Sequence, residues 1–117
     1  MKIFIICPVR SITEPEHQTI QQYIVKLETQ GHQVHYPPRN TNQNDKIGFN
    51  ICTENKQAIQ SADEVHVYWN PLSAGSLFDL GISFALGKVI RLINNVESTP
   101  TKSFNNVLLK LQEINHD

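Results

Sequence analysis

Lys2-Ile3-Phe4-Ile5-Ile6-Cys7 is an apolar run of strand length, stopped at once by Pro8. A strand with one face in water alternates. A continuous run marks a strand buried on both faces, as at the centre of a parallel sheet. Proline cannot donate to a ladder, so Pro8 closes it. Beyond it, Ile20, Tyr23, Ile24 and Leu27 fall at helical offsets over Pro15 to about Gln30. Thr13 is the expected N-cap, Glu14 and Glu16 suit the first turn, and Gly31 is a C′ glycine. His32 to Tyr36 reads as a second strand closed by Pro37-Pro38, with Arg39 to Lys46 as surface loop.

Ile51, Asn55, Ala58, Ile59 and Ala62 stripe a helix from Phe49 to Ala62, with Asn55 an amide on its apolar face. Glu64 to Trp69 alternates and is rich in β-formers, predicting a third strand. Asn70 to Gly75 is a loop, and Leu77 to Leu86 is apolar nearly all round, predicting a mostly buried helix. Val89 to Ile93 is a fourth strand. Phe104, Val107, Leu108, Leu111 and Ile114 stripe a last helix.

Strands alternating with helices predict an α/β fold, a flavodoxin-like (Rossmann-like) doubly wound parallel sheet. Right-handed crossovers make a single domain over 1–117, with four or five strands in the order 2-1-3-4, the simplest arrangement. Ligands in such sheets bind beyond the C-terminal strand ends, at the switch point between strands 1 and 3. That confines the search to Cys7–Ile12 and Asn70–Asp79.

The 117 residues carry 10 Lys+Arg against 11 Asp+Glu, a balance without the basic footprint that binding a nucleic acid polymer requires. No apolar run approaches a membrane span, and Ile3–Cys7 is too short and wrongly flanked for a signal peptide. Cys7 and Cys52 lack any Cys-x-x-Cys pairing, so reduced thiols and a cytoplasmic location are expected. His17, His32, His35, His66 and His116 lack metal-ligand spacing, and no metal or other cofactor is expected. There is no Walker loop, Gly-x-Gly-x-x-Gly or Gly-x-Ser-x-Gly elbow.

Within the mouth, Ser73-Ala74-Gly75-Ser76 brings small residues and hydroxyls to a helix start, which suits an anion. Asp79, one turn in, could attack a carbon centre or hold a proton; equally, Ser76-x-x-Asp79 is close to a capping box. Asn55 could bind a ligand or tie down a loop. Asp63 reads as a ligand or a turn residue, and Arg10 as an anion clamp or a surface arginine. Tyr68 and Trp69 are either core edge or a stacking wall.

Cys7-Pro8-Val9-Arg10, the helix end Ala58-Ile59-Gln60-Ser61-Ala62-Asp63, and Gly75-Ser76-Leu77-Phe78-Asp79-Leu80-Gly81-Ile82-Ser83-Phe84-Ala85-Leu86-Gly87-Lys88 together resemble the nucleoside 2-deoxyribosyltransferase superfamily. That superfamily includes 2′-deoxynucleoside 5′-monophosphate N-hydrolases and CMP N-glycosidases. The resemblance runs from Lys2 to about Asn94. It implies that Asp79 stands where the family has a nucleophilic glutamate, which attacks the anomeric carbon to form a glycosyl carboxylate. It further implies that Asn55 replaces a second acid concerned with the base's proton. Ser73 occupies a position that is an acid in transferases and a serine in monophosphate hydrolases. Asp for Glu shortens the nucleophile by one methylene, and Asn55 can hydrogen-bond a base but supply neither proton nor charge.

The expected function is therefore cleavage or transfer at the N-glycosidic bond of a small-molecule nucleoside or nucleoside 5′-monophosphate. Asp79 and Asn55 would act on the bond, with Arg10, Ser73, Gly75, Ser76, Tyr68, Trp69 and Asp63 around the substrate. The alternatives are a non-catalytic nucleotide-binding or regulatory module and a structural partner of another protein. A homodimer or higher homo-oligomer is expected, through the helices Phe49–Ala62 and Leu77–Leu86.

Overall fold

The computed structural model describes residues 1–115. The opening apolar run is strand β1 (Lys2–Ile6), followed by helix α1 (Glu14–Thr29), β2 (Gln33–His35) and a single helical turn α2 (Pro37–Asn40). Then come α3 (Phe49–Ser61), β3 (Glu64–Val67), α4 (Ala74–Ala85), β4 (Val89–Leu92) and α5 (Phe104–Ile114). All pairings are parallel, and the sheet order is β2-β1-β3-β4. This is the expected α/β architecture, with β1 and β3 adjacent at its centre.

β1 is buried on both sides because its side chains feed two separate cores. Phe4 and Ile6 pack with Val65, Val67, Ile90, Ile59 of α3, Leu80 of α4 and Leu108 of α5. Ile3 and Ile5 pack on the other side with Ile20, Ile24 and Leu27 of α1 and with Val34 and Tyr36. Each fully buried isoleucine contributes roughly 1.5–3 kcal/mol relative to exposure. At the start of α1 the expected cap is complete: Glu16 N–H donates to Thr13 Oγ1 (3.3 Å) and Thr13 N–H to Glu16 Oε1 (3.1 Å). At its far end Gly31, with φ 93°, takes the left-handed conformation that ends the helix.

Three local readings are corrected. Pro37 opens the turn α2 instead of a loop, since a proline at the first helical position loses no intrahelical bond; Asn40 Oδ1 accepts from Tyr36 N–H (2.9 Å). The third strand stops at Val67, before Tyr68 and Trp69. Helix α4 is not mostly buried. Leu77, Phe78 and Phe84, and Leu86 at its C-cap, are exposed, while Ser76, Leu80 and Ser83 face inward.

The alternation of β3 sends Glu64 and His66 to the side of the sheet where α1 packs. Glu64, held below the usual carboxylate range in part by His66 and Arg91, accepts from His66 Nε2–H (2.9 Å) and Arg91 Nε–H (3.1 Å). His66 Nδ1 is then left to accept from the Tyr23 hydroxyl (2.5 Å), so a neutral imidazole is fully satisfied. Burial holds the pKa of His66 below its ordinary value. The unfolded chain therefore takes a proton first as pH falls through about 6.5, and stability is lost below that point at no more than about 1.4 kcal/mol per pH unit for this group. Urea unfolding between pH 8 and 5.5 should show a shallower loss for His66→Gln than for the wild type.

Candidate functional site

The C-terminal ends of β1 and β3 open side by side because the strands are parallel neighbours in register from Ile3↔Glu64 to Ile6↔Val67. Two loops leave this mouth. The first, Cys7 to Thr13, holds Ser11 at φ 57°, the one positive φ outside glycine among the described residues. Such backbone costs on the order of 1–2 kcal/mol and concentrates at functional sites. Arg10 is exposed in this loop and makes no hydrogen bond or ion pair among the described residues. The second loop, Tyr68 to Ser73, leads into α4.

α4 begins three residues earlier than the periodicity implied, and its N-cap is Ser73. Ser73 Oγ accepts from Ser76 N–H (3.2 Å) and donates to Ser76 Oγ (2.9 Å). The capping box built on Ser76 and Asp79 does not form. Asp79 lies past the first turn, beyond reach of any orphan N–H. Its half-buried carboxyl has no hydrogen-bond partner among the described residues, and burial alone pushes its pKa up to about 6. The Cys7 thiol senses it, pushed up to about 12 by burial and then by the Asp79 charge. Asp79 thus reaches from α4 to the end of β1. A carboxyl partly withdrawn from water, with its pKa raised by that burial, marks a candidate functional site.

The other candidates divide. Gly75 lies on the outer side of the first turn, where a Cβ would meet nothing within 4 Å. Ser76 is 2% exposed and its hydroxyl is engaged with Ser73, as part of the framework of the helix start. Trp69 is core, not a stacking wall. It is 5% exposed, and its indole N–H donates to Asn105 Oδ1 (2.8 Å). Tyr68 is half-buried against the α1-side core, with its hydroxyl facing Glu16; burial and that carboxylate raise its pKa. Asp63 leaves the mouth entirely. Its carboxylate accepts from Lys2 N–H (2.7 Å) at the N-terminal end of the strands. Concave surface there is lined by Lys2, Gly31, Gln33, Ser61 and Asp63, but its carboxylate is already engaged.

Asn55 is buried, and its Oδ1 accepts from the Thr41 hydroxyl (2.7 Å), which accepts in turn from His35 Nε2–H (2.8 Å). The chain ties the loop after α2 to α3, as the loop-anchoring reading has it. Among the described residues no group of three or more His, Cys, Asp or Glu is placed to hold a metal ion, and His116 lies outside them. No helix of the described residues is long and apolar enough to cross a membrane. Sequence reasoning missed Cys7 as the neighbour of Asp79, and its signal was its place as the last residue before Pro8.

This chain superposes on a 2-deoxyribosyltransferase from the psychrotolerant bacterium Bacillus psychrosaccharolyticus with a TM-score of 0.71 at 20% identity, over 100% of this chain and 92% of that one. The fold is that of a nucleoside 2-deoxyribosyltransferase. It is also similar to the Clostridium botulinum CMP N-glycosidase BcmB, with a TM-score of 0.64 and 21% identity over 95% of this chain and 82% of that one. No family model and no curated protein sequence matches the chain. Within this 2-deoxyribosyltransferase-like frame, the Asp79 carboxyl provides a stability test. If it is buried for use and not for capping, Asp79→Asn should raise stability at pH 8 by on the order of 2–3 kcal/mol. Because a raised carboxyl pKa penalises the ionised form, that gain should vanish as pH falls from about 6 to about 4. Urea melts across that range check it; a helix-capping role would make the substitution destabilising at pH 8.

Proposed function

We propose that this protein cleaves or transfers the N-glycosidic bond of a nucleoside or nucleoside 5′-monophosphate, with Asp79 as the nucleophile. The observation that carries the reading is the unpartnered Asp79 carboxyl at the β1–β3 mouth, on a fold whose neighbours are a 2-deoxyribosyltransferase and a CMP N-glycosidase. The ionised carboxylate attacks the anomeric carbon, the base departs with the bonding electrons, and a glycosyl ester forms on Asp79. Water or a second base then attacks that carbon and releases the carboxylate, which gives retention overall. Arg10 and Ser73 bind the sugar or its phosphate beside Gly75, where no side chain obstructs approach, and Tyr68 borders the site. Asn55 keeps its amide hydrogens for the base, since only its oxygen is engaged.

The test is chromatographic detection of free base from a panel of nucleosides and 5′-monophosphates. At least one substrate should release base, and kcat/KM should fall below pH about 6 as Asp79 becomes protonated. Asp79→Asn should lower release by several orders of magnitude while binding survives. Asp79→Glu should also lower it, because the side chain longer by one methylene would crowd a sugar positioned for aspartate. A second reading, a nucleotide-binding module without chemistry, is favoured by the engagement of the Asn55 oxygen in a structural chain. It predicts thermal stabilisation by nucleotides with no base released by any variant.

The exposed Leu77, Phe78 and Phe84 of α4 and Leu86 at its C-cap are proposed to join copies of the chain into a homodimer or larger assembly, with Phe49 of α3 a further exposed aromatic. Light scattering at micromolar concentration should give a mass of at least two chains, and Phe84→Glu should reduce it to one. The free Cys7 and Cys52 fit a reducing cytoplasm.

A further inference from the structure

Beyond the last rung of the β3–β4 ladder, where Ile93 N–H donates to Val67 O (2.8 Å), strand β4 turns away. The backbone of Trp69 would be left without a partner on that side. The Asn94 side chain substitutes for the missing strand. Trp69 N–H donates to Asn94 Oδ1 (2.8 Å), and Asn94 Nδ2–H donates to Trp69 O (3.0 Å). A second asparagine holds the side chain. Asn105 Oδ1 accepts from the indole N–H (2.8 Å) while Asn105 Nδ2–H is anchored on Glu97 O (3.1 Å). Trp69 is thereby gripped at three polar atoms and packed in the same core as Leu80, the neighbour of Asp79.

The chain from this grip to α4 is short and stiff. Asn70 Oδ1 accepts from Leu72 N–H (2.9 Å), Asn70 O accepts from Ser73 N–H (3.0 Å), Pro71 restricts its own φ, and Ser73 caps the helix. We propose that Asn94 and Asn105 are positioning residues for Asp79: by pinning Trp69 they set where α4 starts and how it is rolled, and so hold the Asp79 carboxyl in the mouth beside Cys7. A carboxylate without a protein partner gains free energy by turning toward water, so a rigid attachment of its helix must oppose that movement. Neither asparagine touches the mouth's chemistry itself; both act through Trp69. The kinetic consequence rests on the glycosidic reading above, whereas the effect on the Asp79 carboxyl does not.

The experiment follows the Asp79 carboxyl by ¹³C NMR titration in the full chain, alongside base release. Asn94→Ala removes both backbone bonds but leaves the indole in place, and Trp69→Phe removes the bond to Asn105 together with one ring of the indole's core packing. Gln112→Ala is the control. Gln112 satisfies β4 through Leu92 N–H (2.9 Å) and Ile90 O (3.0 Å), so its loss loosens the sheet without touching Trp69. Asn94→Ala should bring the Asp79 midpoint from about 6 to below about 5 as the carboxyl rehydrates, with Trp69→Phe moving it the same way by less. Base release should fall about 10- to 100-fold in kcat, with KM within about twofold. Gln112→Ala should lower the melting temperature and leave the Asp79 midpoint in place. An unmoved midpoint in both Asn94→Ala and Trp69→Phe overturns the proposal, as does an equal shift in Gln112→Ala. A shifted midpoint in a protein that releases no base upholds the positioning role and overturns the glycosidic reading instead.

Discussion

Strand β1 has no face to spare for solvent: Ile3, Phe4, Ile5 and Ile6 are all essentially unexposed, and their side chains alternate between two cores. That constraint organises the molecule. A strand buried on both faces must have helices above and below it and strands on both sides, which in a chain of this length means parallel neighbours linked by crossovers. β2 is reached through α1 on one side, and β3 through α3 on the other. The two windings diverge at β1, so the loops after β1 and β3 part from each other and leave the mouth in which Asp79 lies.

Around this apolar centre, polar groups are managed chiefly by amides. Charged residues make up only 18% of the sequence, and the asparagines take on backbone groups that secondary structure leaves over. Asn40 holds the entry to α2, Asn70 the turn before α4, and Asn106 the loop at Thr99–Thr101. Gln112 and Asn115 cover the carbonyl of Ile90 on the edge strand β4, which blunts an edge otherwise open to another strand. An amide both donates and accepts without the desolvation cost of a charge, which suits positions at the rim of a small core. A charged cluster deep in the sheet, Glu64, His66 and Arg91 with Tyr23, is hydrogen-bonded among its own members.

Asp79 is the exception to that satisfaction. Every other candidate at the helix start has a structural occupation: Ser73 caps, Ser76 is held by Ser73, and Trp69 is core. The Asp79 carboxyl is half-buried beside a thiol, where its ionised form is disfavoured.

Residue order alone determined the α/β class, the strand order and the location of the mouth, because period-2 and period-3.6 patterns and the handedness of crossovers are local or topological properties. It also singled out Asp79, as a carboxylate in an otherwise apolar helix. It offered Ser76 as the cap, whereas the helix starts from Ser73, since both are capping residues and a shift of the helix start changes which N–H groups are orphaned. With the cap at Ser73, Asp79 lies past the first turn and has no capping role. Residue order could not separate Trp69 in the core from Tyr68 on the opposite side, or see that Asp63 belongs to the other end of the sheet beside Lys2. Adjacent residues at a strand end point to opposite faces, and which face meets a helix is decided only when the layers pack.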